Sequence, residues 1–170
     1  NGKNIIICGQ HDSSEQWKGL PQMNTWLLDQ VSQIKKVTDK KIIIRPHPRN
    51  PISIKMAGVD TQLPKRDINT YDDTDFTKQL DDAFAVVNHS SNPAMQAVFN
   101  GVPVFTSESS LSYDVANKDY KNLNTPKTPD REEWAHKLCH TEWWIEEIKE
   151  GIPWQRIREQ LQKKYLKNDV

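Results

Sequence analysis

The sequence predicts an α/β protein in which helices cover one doubly wound parallel sheet. Short apolar runs rich in Ile and Val recur along the chain, at residues 4–8, 42–45, 84–88 and 102–106. Runs of this kind, bounded by turn residues, are typical of strands buried in a parallel sheet. Helical patterns separate them, and alternating strands and helices indicate right-handed crossovers within one sheet.

The first helix is predicted over residues 24–36. Four apolar residues between Trp26 and Ile34 recur there at helical spacing. Asn24 is the expected N-cap, and two lysines in the last turn suit the negative end of the helix dipole.

The following elements are shorter. One weak edge strand is expected within residues 52–71, a short helix over 76–82, and a helix over 93–100 with its proline in the first turn. The polar stretch 107–128 has few apolar anchors and predicts a long loop. We predict the strand order 3-2-1-4-5, in which the loops after the first and fourth strands face each other across a cleft.

The C-terminal pattern is wholly helical. One apolar face is formed by Trp134, Leu138, Thr141, Ile145 and Ile148. Gly151 and Pro153 are expected to end this helix, and a last helix is predicted over residues 154–167. Trp143 and Trp144 cannot both lie on the buried face, so we expect one of them to cover a neighbouring element or an absent domain.

The length of 170 residues fits one domain with a proper core. We assign residues 1–130 to the sheet and its helices, and residues 131–170 to C-terminal helices packed on the same domain. Because the chain begins at Asn1, almost within a strand, we expect it to be cut from a longer protein at a domain boundary.

Composition narrows the class of function. The chain is 35% hydrophobic and 27% charged, and its 23 basic residues equal its 23 acidic ones. A nucleic-acid-binding domain would normally carry a basic excess, so nucleic acid is not an expected partner. No apolar run approaches the roughly 18 residues that span a bilayer, and we expect a cytoplasmic protein. Cys8 and Cys139 have no metal-ligand spacing, and both are expected to be buried in a reducing compartment.

Polar residues follow the second strand directly. Arg45, His47 and Arg49 alternate there with Pro46 and Pro48. Proline fixes its own backbone and restricts the residue before it, so the chain itself aims His47. An aimed imidazole can donate a hydrogen bond to a phosphate oxygen, and the arginines favour the same anion. The alternative is that His47 only ends the strand and packs.

A second polar group joins the fourth strand to the helix that follows it. Ser90, Ser91 and Asn92 precede Pro93 there, and hydroxyls beside a helix N-terminus suit an anion. Asn92 alone would serve as the N-cap, so the pair of serines favours a binding function. Gln96, one turn further on, either bonds a ribose hydroxyl or is an ordinary exposed glutamine.

The loop after the first strand carries Gln10, His11 and Asp12. We expect Gln10 and His11 to line the substrate site. His11 and Asp12 are candidates for an acid–base pair, although adjacent side chains rarely face each other. No nucleophilic triad, phosphate-binding glycine loop, dinucleotide-binding glycine motif or metal signature is present, so no catalytic residue is assigned.

The order of these motifs resembles the C-terminal half of GT-B glycosyltransferases. The resemblance rests on His47-Pro48, Ser90-Ser91, Ala94-Met95-Gln96-Ala97 and Gly101-Val102-Pro103-Val104. It is strongest to the capsule and surface-polysaccharide branch, with Kdo-transferase-like, polysialyltransferase-like and CDP-glycerol-transferase-like enzymes. It implies a Rossmann-like domain whose HP and SS motifs hold the donor nucleotide and its phosphates. Gln96 stands near the position where related enzymes place a ribose-binding glutamate.

The resemblance also implies partners for the chain. The donor would be a nucleotide-activated sugar or polyol phosphate, with CMP- or CDP-linked donors favoured, and no metal or other cofactor is implied. An N-terminal acceptor domain, expected outside this chain, would supply the catalytic base, so the chain alone is expected to be inactive. The full-length protein would be peripheral to the inner membrane. The alternatives are a nucleotide-sugar 2-epimerase-like enzyme and a non-catalytic domain that binds a nucleotide or a protein.

Overall fold

The computed structural model describes residues 2–64 and 76–165, and it contains a five-stranded Rossmann-like sheet. The strands are β1 (Asn4–Cys8), β2 (Lys41–Arg45), β3 (Val59–Thr61), β4 (Ala83–Val87) and β5 (Val104–Phe105). Their order is β3-β2-β1-β4-β5, and each neighbouring pair is parallel. The predicted fold class and strand order are confirmed.

Helices connect and follow these strands. They are α1 (Met23–Lys35), α2 (Phe76–Leu80), α3 (Pro93–Phe99), α4 (Glu132–Leu138), α5 (Ile145–Lys149) and α6 (Ile152–Tyr165). Short 3₁₀ helices cover Glu15–Trp17, Tyr113–Val115 and Tyr120–Asn122. None of the helices within the described ranges is long and apolar enough to cross a membrane.

The chain divides into two compact units, Asn1–Arg131 and Glu132–Val170. The first contains the whole sheet and the second contains α4, α5 and α6. The division lies next to the boundary that the sequence suggests at residues 130 and 131. The packing of the C-terminal helices on the sheet stays a prediction.

The core of the first unit lies between the sheet and α1. β1 is the central strand, and its isoleucines are at most 1% exposed. Ile5 pairs in register with Ile42, and Ile7 with Ile44, so these four side chains form one apolar surface. The helix α1 covers this surface with Met23, Leu27, Val31 and Ile34. Full burial of each such side chain contributes about 1.5–3 kcal/mol to the hydrophobic free energy of folding.

The start of α1 differs from the prediction. The helix begins at Met23, and Asn24 lies inside it rather than at its cap. Gln22, at the N-cap position, makes no side-chain cap. The free amide of Met23 instead donates to Asp12 Oδ1 at 2.8 Å. A carboxylate from the loop after β1 therefore replaces the local cap.

The stretch 107–128 is better anchored than predicted. Val115 and Leu123 are buried, at 6% and 0% exposure, and two 3₁₀ helices hold them there. Asn117 is also buried, and its amide group pairs with backbone atoms of Val104 and Lys127. Because 3₁₀ turns and side-chain hydrogen bonds leave no apolar periodicity, the sequence pattern resembles a free loop.

The predicted single helix after Pro129 is wrong. It is interrupted where Thr141 Oγ1 donates to the carbonyl of Leu138, and Trp144 is extended. Trp134 and Leu138 are buried, whereas Ile145 and Ile148 are exposed, so the five residues share no common buried face.

The boundary between the last two helices also differs from the prediction. Pro153 lies in the first turn of α6 instead of ending a helix. A proline is tolerated there because the first amides of a helix have no partner within it. The predicted end of α6 at Lys167 lies outside the described residues.

The two cysteines differ in environment. Cys8 is buried in β1, and burial raises the pKa of its thiol to about 12, while the nearby Arg45 opposes the shift. Cys139 is exposed, so the expectation that both thiols are buried is wrong for Cys139. It follows the last residue of α4, where the expected continuous helix ends.

Candidate functional site

The carboxyl ends of β2, β1 and β4 bring three polar loops together. Ser90 Oγ, after β4, donates to Gln10 Oε1, after β1, at 3.1 Å. The rings of His11, after β1, and His47, after β2, meet edge to face with centroids 5.6 Å apart. The loops after β1 and β4 therefore meet where the strand order reverses, which is where open α/β sheets bind ligands.

His47 is held by the turn that follows it. The amide of Arg49 donates to His47 Nδ1 at 3.1 Å, and the amide of Asn50 donates to the His47 carbonyl at 2.8 Å. Because a backbone N–H can only donate, Nδ1 must be the acceptor, and the proton of the neutral ring lies on Nε2. Pro48 sits inside this turn, between the ring and the amide that holds it.

His11 is held in the same way. The amide of Ser13 donates to His11 Nδ1 at 3.0 Å. The neutral ring of His11 also carries its proton on Nε2. In both rings Nδ1 accepts a hydrogen bond from the backbone. The Nε2–H group of each ring is therefore left as a donor for a ligand. In the described ranges, no group of three or more His, Cys, Asp or Glu side chains is arranged to hold a metal ion.

The turn after β2 is fastened to the loop after β1 by Asn50. Its Nδ2 donates to Asp12 Oδ2 at 3.0 Å and lies 3.4 Å from the Gln10 carbonyl. Asp12 thereby joins this turn to the start of α1, since its other oxygen caps Met23. The structure directs the Asp12 carboxylate to Asn50 and Met23, so it is a positioning group rather than the partner of His11. Asn50 was not predicted; its one sequence signal is an asparagine at the end of a proline-rich turn.

The electrostatics of the site favour an anion. Burial lowers the pKa of His47, and the charges of Arg49, His11 and Arg45 lower it further. Burial also lowers the pKa of His89. The positive field that disfavours a proton on His47 attracts a negative ligand instead. Arg45 lies over the ring of Phe76 at 5.0 Å, and Arg49 is exposed.

The serines after β4 are tied to the protein. Ser91 accepts twice from the side chain of Asn88, at its carbonyl at 2.6 Å and at Oγ at 3.1 Å. Ser90 Oγ, which donates to Gln10, also lies 3.1 Å from His89 Nδ1. Since the Ser90 proton is used for Gln10, Nδ1 of His89 carries a proton in this arrangement.

Three predicted site residues have roles that differ from the simplest expectation. Asn92 stands at the N-cap position of α3, as the sequence suggests, but its backbone angles are helical and its side chain makes no capping hydrogen bond. Gln96 is exposed on α3, and no described contact links it to the histidines or to Ser90. Gln10 is only 6% exposed, and its amide joins two loops, because Oε1 accepts from Ser90 after β4 while Nε2 donates to Ser14 Oγ of its own loop at 3.2 Å.

A cavity of about 290 Å³ lies beside this site and shares His89 with it. Its lining includes Trp26, Asn88, Thr106 and Tyr120. Asn88 and Thr106 each have a buried side-chain oxygen with no hydrogen-bond partner within the described residues. Buried polar atoms normally have partners, so these two oxygens are unsatisfied within the described residues.

Comparison with solved structures shows a similarity at low sequence identity. The chain is similar to the solved structure of Thermosulfurimonas dismutans KpsC, beta Kdo 2,4 transferase, with a TM-score of 0.47 and 9% sequence identity. The similarity covers 72% of this chain and 43% of that one, so the chain spans less than half the length of that protein. No protein-family profile and no curated protein matches the chain. A similarity at this level carries no argument, and the sheet itself establishes the fold.

Proposed function

We propose that this chain is the donor-nucleotide-binding domain of a GT-B glycosyltransferase that acts in surface-polysaccharide synthesis. The supporting observation is the pair of Nε2–H donors on His11 and His47, fixed at the reversal of the strand order beside Arg45 and Arg49. Fixed donors in a positive field suit a phosphate or diphosphate group, which offers several acceptor oxygens and no donor at neutral pH.

In this proposal the same donors act on the leaving group. Glycosyl transfer breaks the bond between the anomeric carbon and a phosphate oxygen, while an acceptor hydroxyl forms the new bond to that carbon. Negative charge then grows on the departing nucleotide phosphate. Donors already aimed at that phosphate stabilise the charge without reorganising. The base that removes the acceptor proton would come from a domain outside this chain.

The neighbouring cavity supports a larger ligand than phosphate alone. Its 290 Å³ approaches the lower end of the range for small-molecule pockets. The aromatic rings of Trp26 and Tyr120 and other polar side chains of the lining, Gln30, Gln33 and Ser107, suit a planar or hydroxylated group. A nucleoside or sugar joined to the phosphate fits this description. We propose the cytoplasm as the compartment of the protein.

The alternative of a nucleotide-sugar 2-epimerase has less support. Such an enzyme needs acid–base groups in the cleft, and His11 with Asp12 was the candidate pair. The two oxygens of Asp12 accept from Met23 and Asn50. A carboxylate held in this way orients two loops, so the arrangement favours binding and leaving-group stabilisation.

Calorimetric titration of the chain with CMP, CDP, UDP and GDP tests the proposal. We expect one nucleotide to bind and His47→Ala and His11→Ala each to weaken it about tenfold or more, the value of one to two hydrogen bonds to a charged group. His136→Ala, which removes an exposed histidine of α4, is the matched control and should bind normally. Failure of every nucleotide to bind to the folded chain, or equal losses in all three variants, would contradict the proposal.

A further inference from the structure

The helix α6 exposes the apolar side that an amphipathic helix normally buries. Trp154, Ile157, Leu161 and Tyr165 recur every three or four residues, so they lie on one side of the helix. They are 61%, 48%, 44% and 61% exposed. We call these four residues the α6 stripe. No residue of α6 is buried, so its neighbours within the second unit leave the stripe uncovered.

The opposite side of α6 is the side that has neighbours. Arg156 lies half a turn from the stripe, and its guanidinium covers the ring of Trp143 at 5.2 Å. Its Nη1 donates to His140 Nδ1 at 2.6 Å. The polar side thus packs within the C-terminal unit and the apolar side points away. This orientation is the reverse of a helix that covers its own core.

A second exposed apolar group lies at the start of α5. Trp144, Ile145 and Ile148 are 77%, 65% and 58% exposed, and we call them the α5 patch. Trp144 is held at the N-cap, because its amide donates to Glu147 Oε2 at 2.8 Å. The position of this exposed indole is therefore fixed at the end of a helix rather than on a free loop.

The charges around the two groups are opposite. Residues 145–150 carry three glutamates and one lysine, a net charge of −2. The helix α6 carries Arg156, Arg158, Lys163 and Lys164 against Glu159, a net charge of +3. By helical spacing Arg158 and Lys164 flank the stripe on its two sides. One surface of the unit is therefore apolar with acidic neighbours, and the other is apolar with basic neighbours.

We propose that the α6 stripe of one copy of this chain binds the α5 patch of a second copy, and the reverse, in a two-fold dimer. A two-fold interface needs a surface that complements itself, and an acidic and a basic apolar group on one unit meet this need. The full area of each of the three aromatic side chains is about 200 Å², and with 61–77% of it exposed they present about 400 Å² together. With the four aliphatic side chains the area approaches the roughly 800 Å² per partner of a standard interface.

The charge pattern selects a second copy over an anionic lipid surface. Basic α6 with its Trp and Tyr would be attracted to such a surface. The glutamates beside the α5 patch would be repelled by it, and the patch would stay uncovered. Binding between copies covers both groups and pairs both charges. The inference is independent of the nucleotide proposal, because its residues belong to the second unit.

Sedimentation velocity on the whole chain at low and high concentrations tests the inference. We expect a dimer, and we expect Leu161→Glu to raise its dissociation constant about tenfold or more, because each dimer buries this side chain twice. The matched control is Gln155→Glu, which adds the same charge to an exposed position of α6 outside the stripe. Circular dichroism confirms that both variants keep their helices.

Charge reversal gives a second test. Glu146→Lys alone and Arg158→Glu alone should each weaken the dimer several-fold, and the double variant should recover most of the loss. A wild-type chain that stays monomeric at high concentration would overturn the proposal. Equal effects of Leu161→Glu and Gln155→Glu would also overturn it. So would a monomer that co-sediments with phosphatidylglycerol vesicles and is released by Leu161→Glu.

Discussion

The helices α1 and α6 have nearly the same length and apolar spacing, but one buries its apolar side and the other exposes it. They span 13 and 14 residues, and each carries four large apolar residues at helical spacing. In α1 these four are at most 1% exposed, whereas in α6 they are 44–61% exposed. The isoleucines of the sheet cover the first set, and no residue of the second unit covers the second set. A helical apolar pattern therefore specifies a side that needs a partner, and for α6 we propose that this partner is a second copy of the chain.

The largest expected contrast between the two units is in thiol reactivity. Cys8 is buried in β1, and this burial raises the pKa of its thiol from 9.0 to about 12, so its thiolate population falls about a thousandfold. Cys139 is exposed. We expect a thiol reagent to modify one equivalent rapidly and the second only on unfolding. The contrast would be broken if Cys139→Ser left a rapidly reacting thiol in the native protein.

A matched pair of leucines measures the same contrast as stability. Leu27→Ala removes a fully buried side chain of α1 and should cost about 2–5 kcal/mol of unfolding free energy. Leu161→Ala removes a leucine of α6 that is 44% exposed, and in dilute monomeric protein it should cost less than about 1 kcal/mol. Denaturant unfolding of both variants checks this. Similar losses would show that the α6 stripe is covered within the monomer.

The start of α1 provides a third comparison, because its cap comes from another part of the chain. Asp12→Ala removes the acceptor for the Met23 amide and the anchor of Asn50, and we expect a loss of about 1–2 kcal/mol. Nucleotide affinity should fall with it, since the turn that aims His47 loses its fastening. Asp39→Ala, at an exposed position, is the control in the same unfolding and calorimetry experiments. If Asp12→Ala bound nucleotide with normal affinity, the capping of α1 by Asp12 would have no influence on the binding site.

The smallest expected effect is a pH dependence of the unfolding free energy that comes from two histidines of the first unit. The pKa of His47 and that of His89 are lowered from 6.5 in the folded protein, so the unfolded chain binds protons more readily. Stability should be fully present above about pH 6.5 and should fall as the pH drops through the lowered values. Unfolding measured from about pH 8 to pH 5 checks this, with His47→Asn expected to flatten the slope. If His47→Asn left the slope of unfolding free energy against pH unchanged, the pH dependence would come from other groups.

Much of the first unit could be predicted because its signals are local. The bounds of β1 are as predicted, and the strand order follows from the alternation of strands and helices. His47 and His11 lie together because both follow neighbouring strands. That they bind phosphate stays a prediction.

What could not be predicted depends on contacts between distant residues. The Asp12 cap joins residues 11 positions apart, and Asn50 reaches Asp12 over 38 positions. A pattern search reads spacing along one element and does not detect such bonds. The prediction of one continuous helix with an apolar face from Trp134 to Ile148 was wrong for a related reason. Helical spacing continues across Thr141, but the backbone does not.

The way the two imidazoles are held has a consequence for how this protein can change over time. Nδ1 of each ring accepts from the main-chain amide two positions later, which belongs to Ser13 for His11 and to Arg49 for His47. Every amino acid except proline supplies that amide. The side chains at these two positions can therefore be replaced, altering charge and size at the rim of the site, while the direction of each ring is kept. New specificities become accessible by single substitutions that leave the aim of the histidines intact.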